Sequence, residues 1–176
     1  MLNMINKKGQ IITKRLVLKP LEDSDEKATI SLLENPLVAK TYMSPIFKND
    51  EERKTFFRRL KDISHNNEKI LYGIYLDKSL IGFINSVSIE NDWVELGYLI
   101  SPNEWNRGYA TEALTGVINS LFEIGFKTIE CGHFECNPAS GKVMQKSGMK
   151  RIEKTEVVVY QGIKHNCVFY QITNKK

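Results

Sequence analysis

Apolar positions recur along this chain with two periods, and each period predicts a different kind of element. Alternating or continuous apolar runs predict seven strands, over residues 11–19, 70–77, 79–89, 93–100, 127–136, 151–160 and 165–172. Helical spacing with capping residues predicts four helices, over about residues 23–33, 49–65, 109–122 and 137–148. This order predicts a single α/β (α+β) domain over residues 1–176, in which helices cover both faces of a mixed, mostly antiparallel sheet of about seven strands.

The connection between the fourth strand and the third helix carries the most information. It reads Trp-Asn-Arg-Gly-Tyr-Ala-Thr-Glu over residues 105–112, which we call the glycine turn. A turn that opens a helix directs unpaired backbone N–H groups and the positive end of the helix dipole at one point, and such a point binds an anion. Gly108 has no Cβ and lets a ligand approach closely. The expected backbone donors are Arg107, Gly108, Tyr109, Ala110 and Thr111.

Charge and composition narrow the class of ligand. The net charge of +4 suits a small anionic ligand but falls short of the basicity typical of nucleic-acid binders. No apolar run approaches the ~18 residues of a membrane span, so we expect no membrane partner and a cytoplasmic location. Cys131, Cys136 and Cys167 are odd in number and lack metal-ligand spacing, which indicates reduced thiols and no metal site.

The glycine turn resembles the signature of the GNAT superfamily of acyl-CoA-dependent N-acetyltransferases. That signature is a Gln or Arg, two residues, Gly, one residue, then Gly or Ala; here Gly108 and Ala110 match it, and Trp105 replaces the Gln or Arg. Asn137 and Ser140, followed by Gly148, are similar to a second motif of the family. Residues 13–18 look like the opening strand of the branch that acetylates the N-termini of ribosomal proteins.

The resemblance implies acetyl-CoA as cosubstrate. The glycine turn would then hold the pyrophosphate, with Arg107 either adding charge or facing solvent. The pantetheine arm would pair with the strand at Tyr98, Leu99 and Ile100, and a backbone N–H near Leu99 or Ile100 would polarise the thioester carbonyl. Asn137 would hydrogen-bond the cofactor, cap its helix, or divide its amide between the two. The expected reaction is direct attack of a neutral amine within a ternary complex.

Two residues are candidates for catalysis. Glu95 lies on the strand that lines the expected cleft, so it is either the base, acting directly or through water, or a structural carboxylate. His133 is an alternative base or a packed side chain. The tyrosine acid of many relatives is replaced by Met144, and Ser140 occupies the place of the serine proposed as acid in the ribosomal branch. Ser140 could equally serve only to bind the cofactor or complete the helix cap.

The sequence says less about the acceptor amine than about the acetyl-CoA cosubstrate. We expect residues 40–48, the second helix and the final hairpin to surround it, with Tyr42, Met43, Phe47 and Trp93 as candidate walls. The acceptor would be a protein N-terminal α-amine or a small-molecule amine, and the resemblance implies a possible homodimer. From a different functional class, the alternative is a catalytically weak acyl-CoA-binding sensor or interaction module.

Overall fold

The computed structural model describes residues 9–66 and 69–174. The outer parts of the expected 1–176 domain therefore lie outside the described residues. The helices are α1 (Glu26–Leu33), α2 (Pro36–Ala39), α3 (Asp50–His65), α4 (Tyr109–Glu123) and α5 (Pro138–Lys146). The strands are β1 (Ile11–Ile12), β2 (Val17–Lys19), β3 (Leu71–Leu76), β4 (Ser79–Glu90), β5 (Trp93–Ile100), β6 (Thr128–Phe134), β7 (Lys150–Tyr160) and β8 (Ile163–Thr173).

All eight strands form one sheet in the order β1-β2-β3-β4-β5-β6-β8-β7. Neighbouring strands are antiparallel except for β5 and β6, which run parallel because α4 connects them as a crossover. The expected mixed, mostly antiparallel sheet is confirmed, and the residues that the structure describes contribute eight strands to it rather than about seven.

The additional strand comes from residues 11–19, for which a single strand was the wrong prediction. Thr13 turns the chain within this segment: its backbone N–H donates to the carbonyl of Leu16 at 2.9 Å, and its side-chain oxygen accepts from the Leu16 N–H at 3.1 Å. The segment consequently folds back on itself as the β1–β2 hairpin, with Ile11 opposite Leu18.

Two helix boundaries also differ from the prediction. A 3₁₀ turn, Asp23–Asp25, precedes α1, and the Asp25 carboxylate accepts from the Glu22 N–H at 2.7 Å, so α1 begins at Glu26 rather than at about residue 23. The short helix α2 was not predicted, although Asn35 caps it through the Leu37 N–H at 2.9 Å and Pro36 occupies its first position. Asparagine followed by proline starts a helix here, as it does at α5.

The helices divide between the two faces of the sheet. Helices α4 and α5 pack on one face, here called the α4 face, against side chains such as Val94, Leu96 and Cys131. Helices α1 to α3 pack on the other, the α3 face, against Phe83 and Leu99. None of the helices in the described residues is long and apolar enough to cross a membrane.

We predict that Gly82→Ala destabilises the fold by roughly 3 kcal/mol, because a Cβ at Gly82 would lie 2.2 Å from the backbone oxygen of Leu99. Gly97→Ala in the adjacent strand is the matched control, since its Cβ would meet its nearest neighbour at 3.5 Å. We expect Gly97→Ala to change the unfolding free energy by less than about 0.5 kcal/mol. Urea denaturation of both variants measures this, and equal stabilities would contradict the prediction.

Candidate active site

A slot opens between the two parallel strands. Backbone pairing of β5 with β6 runs from Trp93 opposite Thr128 to Leu96 opposite Cys131 and stops there. Both strands continue, β5 paired with β4 as far as Ile100 and β6 paired with β8 as far as Phe134. Residues 97–100 and 132–134 therefore face each other without a shared ladder, and we call the gap between them the interstrand slot.

Backbone groups of β5 point alternately to β4 and to the interstrand slot. The N–H of Ser101 donates to the Ile81 carbonyl at 2.7 Å, which turns that residue toward β4. By the two-residue period of a strand, Leu99 also faces β4, whereas Tyr98 and Ile100 face the slot. The donor expected near Leu99 or Ile100 is therefore available at Ile100 and not at Leu99.

Two helix N-termini flank the same end of the slot. Helix α4 follows β5 through the glycine turn, and α5 follows β6 through Asn137. Because β5 and β6 are parallel, their carboxyl ends meet at one edge of the sheet, where ligands of open α/β sheets bind. Both helix dipoles present their positive ends at this edge, so it favours an anion.

The glycine turn requires two left-handed residues. Asn106 has φ = 62° and Gly108 has φ = 81°, a conformation that glycine adopts without a steric penalty. The first bond within α4 runs from the Glu112 N–H to the Gly108 carbonyl at 3.0 Å, which leaves the N–H groups of residues 109–111 without intrahelical partners. The indole N–H of Trp105 donates to the Ile100 carbonyl at 2.8 Å and so ties the turn to the end of β5.

A connection to the β1–β2 hairpin supports the glycine turn. The Glu112 carboxylate accepts from the Thr13 hydroxyl, the Arg15 backbone N–H and the Arg15 Nε, each at 2.7 Å. Arg15 also donates from Nη1 to the Arg107 carbonyl at 3.0 Å. Thr13 and Arg15 belong to the family-like motif of residues 13–18, for which the sequence predicted no part in the site.

On the other side of the slot, Ser140 and Asn137 form the start of α5. The Asn137 Oδ1 accepts from the Ser140 N–H at 3.4 Å, so the amide oxygen serves as the cap while its nitrogen is the group left for a ligand. The Tyr98 hydroxyl crosses from β5 to Ser140, 3.0 Å from its carbonyl and 2.7 Å from its Oγ. Since a carbonyl can only accept, Tyr98 donates to it and the Ser140 hydroxyl donates to Tyr98.

Burial raises the pKa of Tyr98, and nearby Cys131 raises it further, although the bond to Ser140 lowers it. Tyr98 is therefore neutral over the physiological range and remains a fixed hydrogen-bonding partner for Ser140. Met144, at the place of the tyrosine acid in many relatives, lies in the core and is 1% exposed.

Glu95 lies on the α3 face within a charged cluster. Lys154 Nζ is 3.9 Å from Glu95, 3.2 Å from Glu130 and 3.5 Å from Glu156. Burial raises the pKa of Glu95, with Lys154 lowering it and the other two carboxylates raising it. Burial also raises the pKa of Glu130, but hydrogen bonds from Trp93, Gln171 and Lys154 outweigh burial and lower it overall. The two carboxyl groups are thus driven apart in acidity, a pattern common where one serves as a base.

Glu95 and Ser140 lie on opposite faces of the sheet. Glu95 shares the α3 face with Leu99, whereas Ser140 meets Tyr98 on the α4 face. His133 is also on the α4 face, where its ring stacks on Tyr170 and a Cβ on Gly141 would come within 2.8 Å of its Nε2. Burial lowers the pKa of His133. The two candidate bases, Glu95 and His133, therefore lie on opposite faces of the sheet.

The expected acceptor walls differ in exposure. Tyr42 packs edge-on against Phe83 and donates to Asn85 at 3.1 Å, and Phe47 packs against Phe56, so both are partly buried against the core. Met43 is exposed, and Trp93 lies beside Lys154. The region itself is brought together as expected: the Tyr160 hydroxyl of the final hairpin donates to the Ser44 carbonyl at 3.1 Å.

Comparison with known families shows to which family the chain belongs. The family model of the acetyltransferase (GNAT) domain matches residues 15–150, which include the hairpin arginine, the glycine turn and the start of α5. The chain belongs to the GNAT family. The uncharacterized N-acetyltransferase YnaD of Bacillus subtilis is 31% identical over 147 residues, covering 80% of this chain and 82% of YnaD.

Solved GNAT structures share the fold at low sequence identity. RimL, the ribosomal L7/L12 α-N-protein acetyltransferase, superposes with a TM-score of 0.82 at 16% identity over 94% of both chains. The microcin C7 self-immunity acetyltransferase MccE, in complex with acetyl-CoA and AMP, has a TM-score of 0.80 at 16% identity, covering 92% of this chain and 93% of MccE. At these identities the two structures show that the fold is shared. The match to the GNAT family model makes the chain an acyltransferase by family.

The charges around Glu95 predict how its pKa responds to substitution, whatever the acceptor is. Lys154→Met removes the charge that lowers the pKa of Glu95, so that pKa should rise further. Glu156→Gln removes a carboxylate that raises it, so the pKa should fall. Titration of the Glu95 side-chain carboxyl carbon by NMR measures both shifts. Shifts of the same sign in the two variants would contradict the electrostatic account of Glu95.

Proposed function

We propose that this GNAT protein is an acetyl-CoA-dependent N-acetyltransferase that acetylates a primary amine by direct attack in a ternary complex. The observation that carries the proposal is the interstrand slot, with the N-termini of α4 and α5 at its open end. Acetyl-CoA has an extended arm with amide groups, which can pair with the backbone groups of the slot, and a pyrophosphate, which the helix N-termini at this edge can bind.

The cofactor residues would divide the ligand between them. The N–H groups of Arg107, Gly108, Tyr109, Ala110 and Thr111 would bind the pyrophosphate. The amide nitrogen of Asn137 would donate to the pantetheine arm as it lies along the slot, where Tyr98 and Ile100 offer backbone groups. Acetyl-CoA supplies the acetyl group, and MccE and RimL are proteins of the same fold with acetyl-CoA or coenzyme A bound.

The position of Ile100 supports a role in stabilising negative charge on the reacting carbonyl oxygen. Its N–H faces the slot, and its own carbonyl, in the next peptide group, accepts from the Trp105 indole, which holds the end of the strand in place. A donor held in place before the reaction stabilises developing charge without a reorganisation cost. The slot opens to both faces, so the amine would approach from the α3 face while the leaving sulfur lies toward the α4 face.

Glu95 would accept the amine proton through water. Its position is two residues before Gly97, and at ~3.3 Å per residue its carboxylate lies ~7 Å along the strand from the opening of the slot. Its partly buried side chain and raised pKa make the carboxylate a stronger base than an exposed glutamate. An α-amine, with a reference pKa of ~8, gives up its proton more readily than a lysine at ~10.4.

Ser140 would act on the leaving sulfur. The Ser140 hydroxyl lies on the α4 face. The Tyr98 hydroxyl positions Ser140 through hydrogen bonds with both the Oγ and the carbonyl of this residue. Ser140 would transfer its hydroxyl proton to the thiolate and regain a proton from solvent after the products leave, while Tyr98 keeps its own proton because burial raises its pKa. The two catalytic groups would therefore serve the two substrates separately, Glu95 the amine and Ser140 the thiolate.

The acceptor would be a protein N-terminal α-amine or a small-molecule amine, bound between residues 40–48 and the β7–β8 hairpin. Carboxylates at this site favour a cationic acceptor: Glu135 accepts from Asn166 at 3.3 Å in the final hairpin, and Glu156 is half exposed near Glu95. RimL is named for acetylating the α-amine of L7/L12, which supports the protein alternative by fold only.

The glycine turn is tested by comparing Gly108→Ala with Gly162→Ala. The two glycines have nearly equal positive φ values, 81° and 76°, so alanine strains the backbone similarly at both positions. Only Gly108 lies at the expected pyrophosphate. We expect Gly108→Ala to weaken coenzyme A binding by about tenfold or more and Gly162→Ala to leave it unchanged, as measured by calorimetry. Equal binding by both variants would show that the pyrophosphate lies elsewhere.

Catalysis is tested by thiol release from acetyl-CoA with a panel of amines and N-terminal peptides. We expect Glu95→Gln to lower kcat/KM by roughly 10²–10⁴-fold and to abolish the rise of activity with pH that deprotonation of Glu95 produces in the wild type. Lys154→Met, which raises the pKa of Glu95, should move that rise to higher pH. An unchanged pH profile in Glu95→Gln would exclude Glu95 as the base. Stabilisation by coenzyme A without turnover of any amine would favour an acyl-CoA sensor instead.

A further inference from the structure

Arg15 lies against the glycine turn although it precedes Arg107 by 92 residues. Its Nε bonds the Glu112 carboxylate at 2.7 Å, its Nη1 bonds the Arg107 carbonyl at 3.0 Å, and its guanidinium sits 4.4 Å from the centre of the Tyr109 ring. These contacts fix the guanidinium over the backbone segment assigned to the pyrophosphate.

Glu112 makes a cation necessary at this place. Its carboxylate lies in the first turn of α4 and is 16% exposed. Burial raises its pKa, but hydrogen bonds from Thr13 and Arg15 and the charge of Arg15 outweigh burial, so the pKa is lowered overall and Glu112 is ionised at neutral pH. A carboxylate stabilises the start of a helix but repels a phosphate bound to the same N–H groups. Arg15 neutralises this charge.

The Arg15 guanidinium also has N–H donors that these bonds do not use. A guanidinium carries five N–H groups in a plane, and the bonds to Glu112 and Arg107 fix the direction of the others. Within residues 9–66 and 69–174, Nη2 makes no hydrogen bond. A Cβ built on Gly108 would lie 3.4 Å from Nη2, so these donors lie over the residue that lets a ligand approach the turn.

Arg107, the cation that the sequence suggested for the turn, is engaged elsewhere. Its guanidinium pairs with Glu104 and lies 5.6 Å from the Tyr109 ring, and its side chain is 55% exposed. Arg15 is nearer the ring, and its guanidinium is held by the turn itself.

We propose that Arg15 is a cofactor-binding residue whose Nη2 donates to a pyrophosphate oxygen, while Glu112 and the Arg107 carbonyl hold the guanidinium in place. This inference rests on the proposed function and adds to the backbone donors a side-chain cation from the β1–β2 hairpin. A fixed planar fork suits a phosphate oxygen better than a flexible ammonium does.

The test measures binding of two probes, coenzyme A by calorimetry and pantetheine, which lacks the pyrophosphate, by NMR titration. We expect Arg15→Met to weaken coenzyme A binding by about tenfold or more and to leave pantetheine binding unchanged. Arg53→Met is the matched control, because Arg53 is another partly exposed arginine paired with a glutamate, Glu34, far from the turn. Arg53→Met should change neither affinity. Arg107→Met should reduce the affinity for coenzyme A by less than Arg15→Met does.

An equal loss for both probes would mean that Arg15 only supports the fold, and a loss no larger than that of Arg107→Met would also overturn the proposal. If Arg15→Met does not fold, Arg15→Lys replaces it, since lysine keeps the charge but loses the planar fork. The loss of coenzyme A affinity is again compared with the loss of pantetheine affinity. Failure of the wild-type chain to bind coenzyme A would instead refute the proposed function itself.

A second variant isolates the charge of Glu112. In Arg15→Met this carboxylate is left unpaired beside the bound phosphates, so adding Glu112→Gln should recover at least about threefold of the lost coenzyme A affinity. A double variant that binds more weakly than Arg15→Met would contradict the account of Arg15 as a neutralising cation.

Discussion

Backbone hydrogen bonding is the constraint on which the site depends. Buried N–H and C=O groups are nearly always paired, yet β5 and β6 stop pairing with each other at Leu96 and Cys131 while β4 and β8 keep both strands extended. The inner edges of two ordered strands are consequently left facing one another. A chain with amide groups of its own can occupy such a gap in the manner of an added strand, and the cofactor chemistry follows from that geometry.

The glycine turn is shaped by parts of the chain that are remote in sequence. Left-handed residues at positions 106 and 108 would be free to adopt other conformations in isolation, but the Trp105 indole holds one end to β5. Thr13 and Arg15 hold the other end through Glu112. The turn therefore pays little conformational entropy on binding an anion, because folding has already fixed it.

Local patterns in the sequence predicted most of the fold. Apolar spacing predicted α3 and α4 closely, the cap at Asn137 predicted the start of α5, and the strand-turn-helix order predicted an anion site at the glycine turn. Long-range contacts could not be read from these patterns: Arg15 and Glu112 are 97 residues apart, and the shift in register between Arg151 and Thr155 brings Lys154 to Glu95. The aromatic residues were ambiguous for a physical reason: Tyr42 and Phe47 suit either a pocket wall or core packing, and both are partly buried against the core.

The hydrogen bond from Tyr160 to Ser44 joins the tip of the last hairpin to the loop before α3. Neither segment contributes to the glycine turn or to the start of α5. Under the proposed function, the two loops would contact the acceptor, whereas the glycine turn and the start of α5 would contact acetyl-CoA. A change in the length of either loop would then alter which amine fits without changing the residues that bind the thioester, so the two specificities could diverge separately within a single domain.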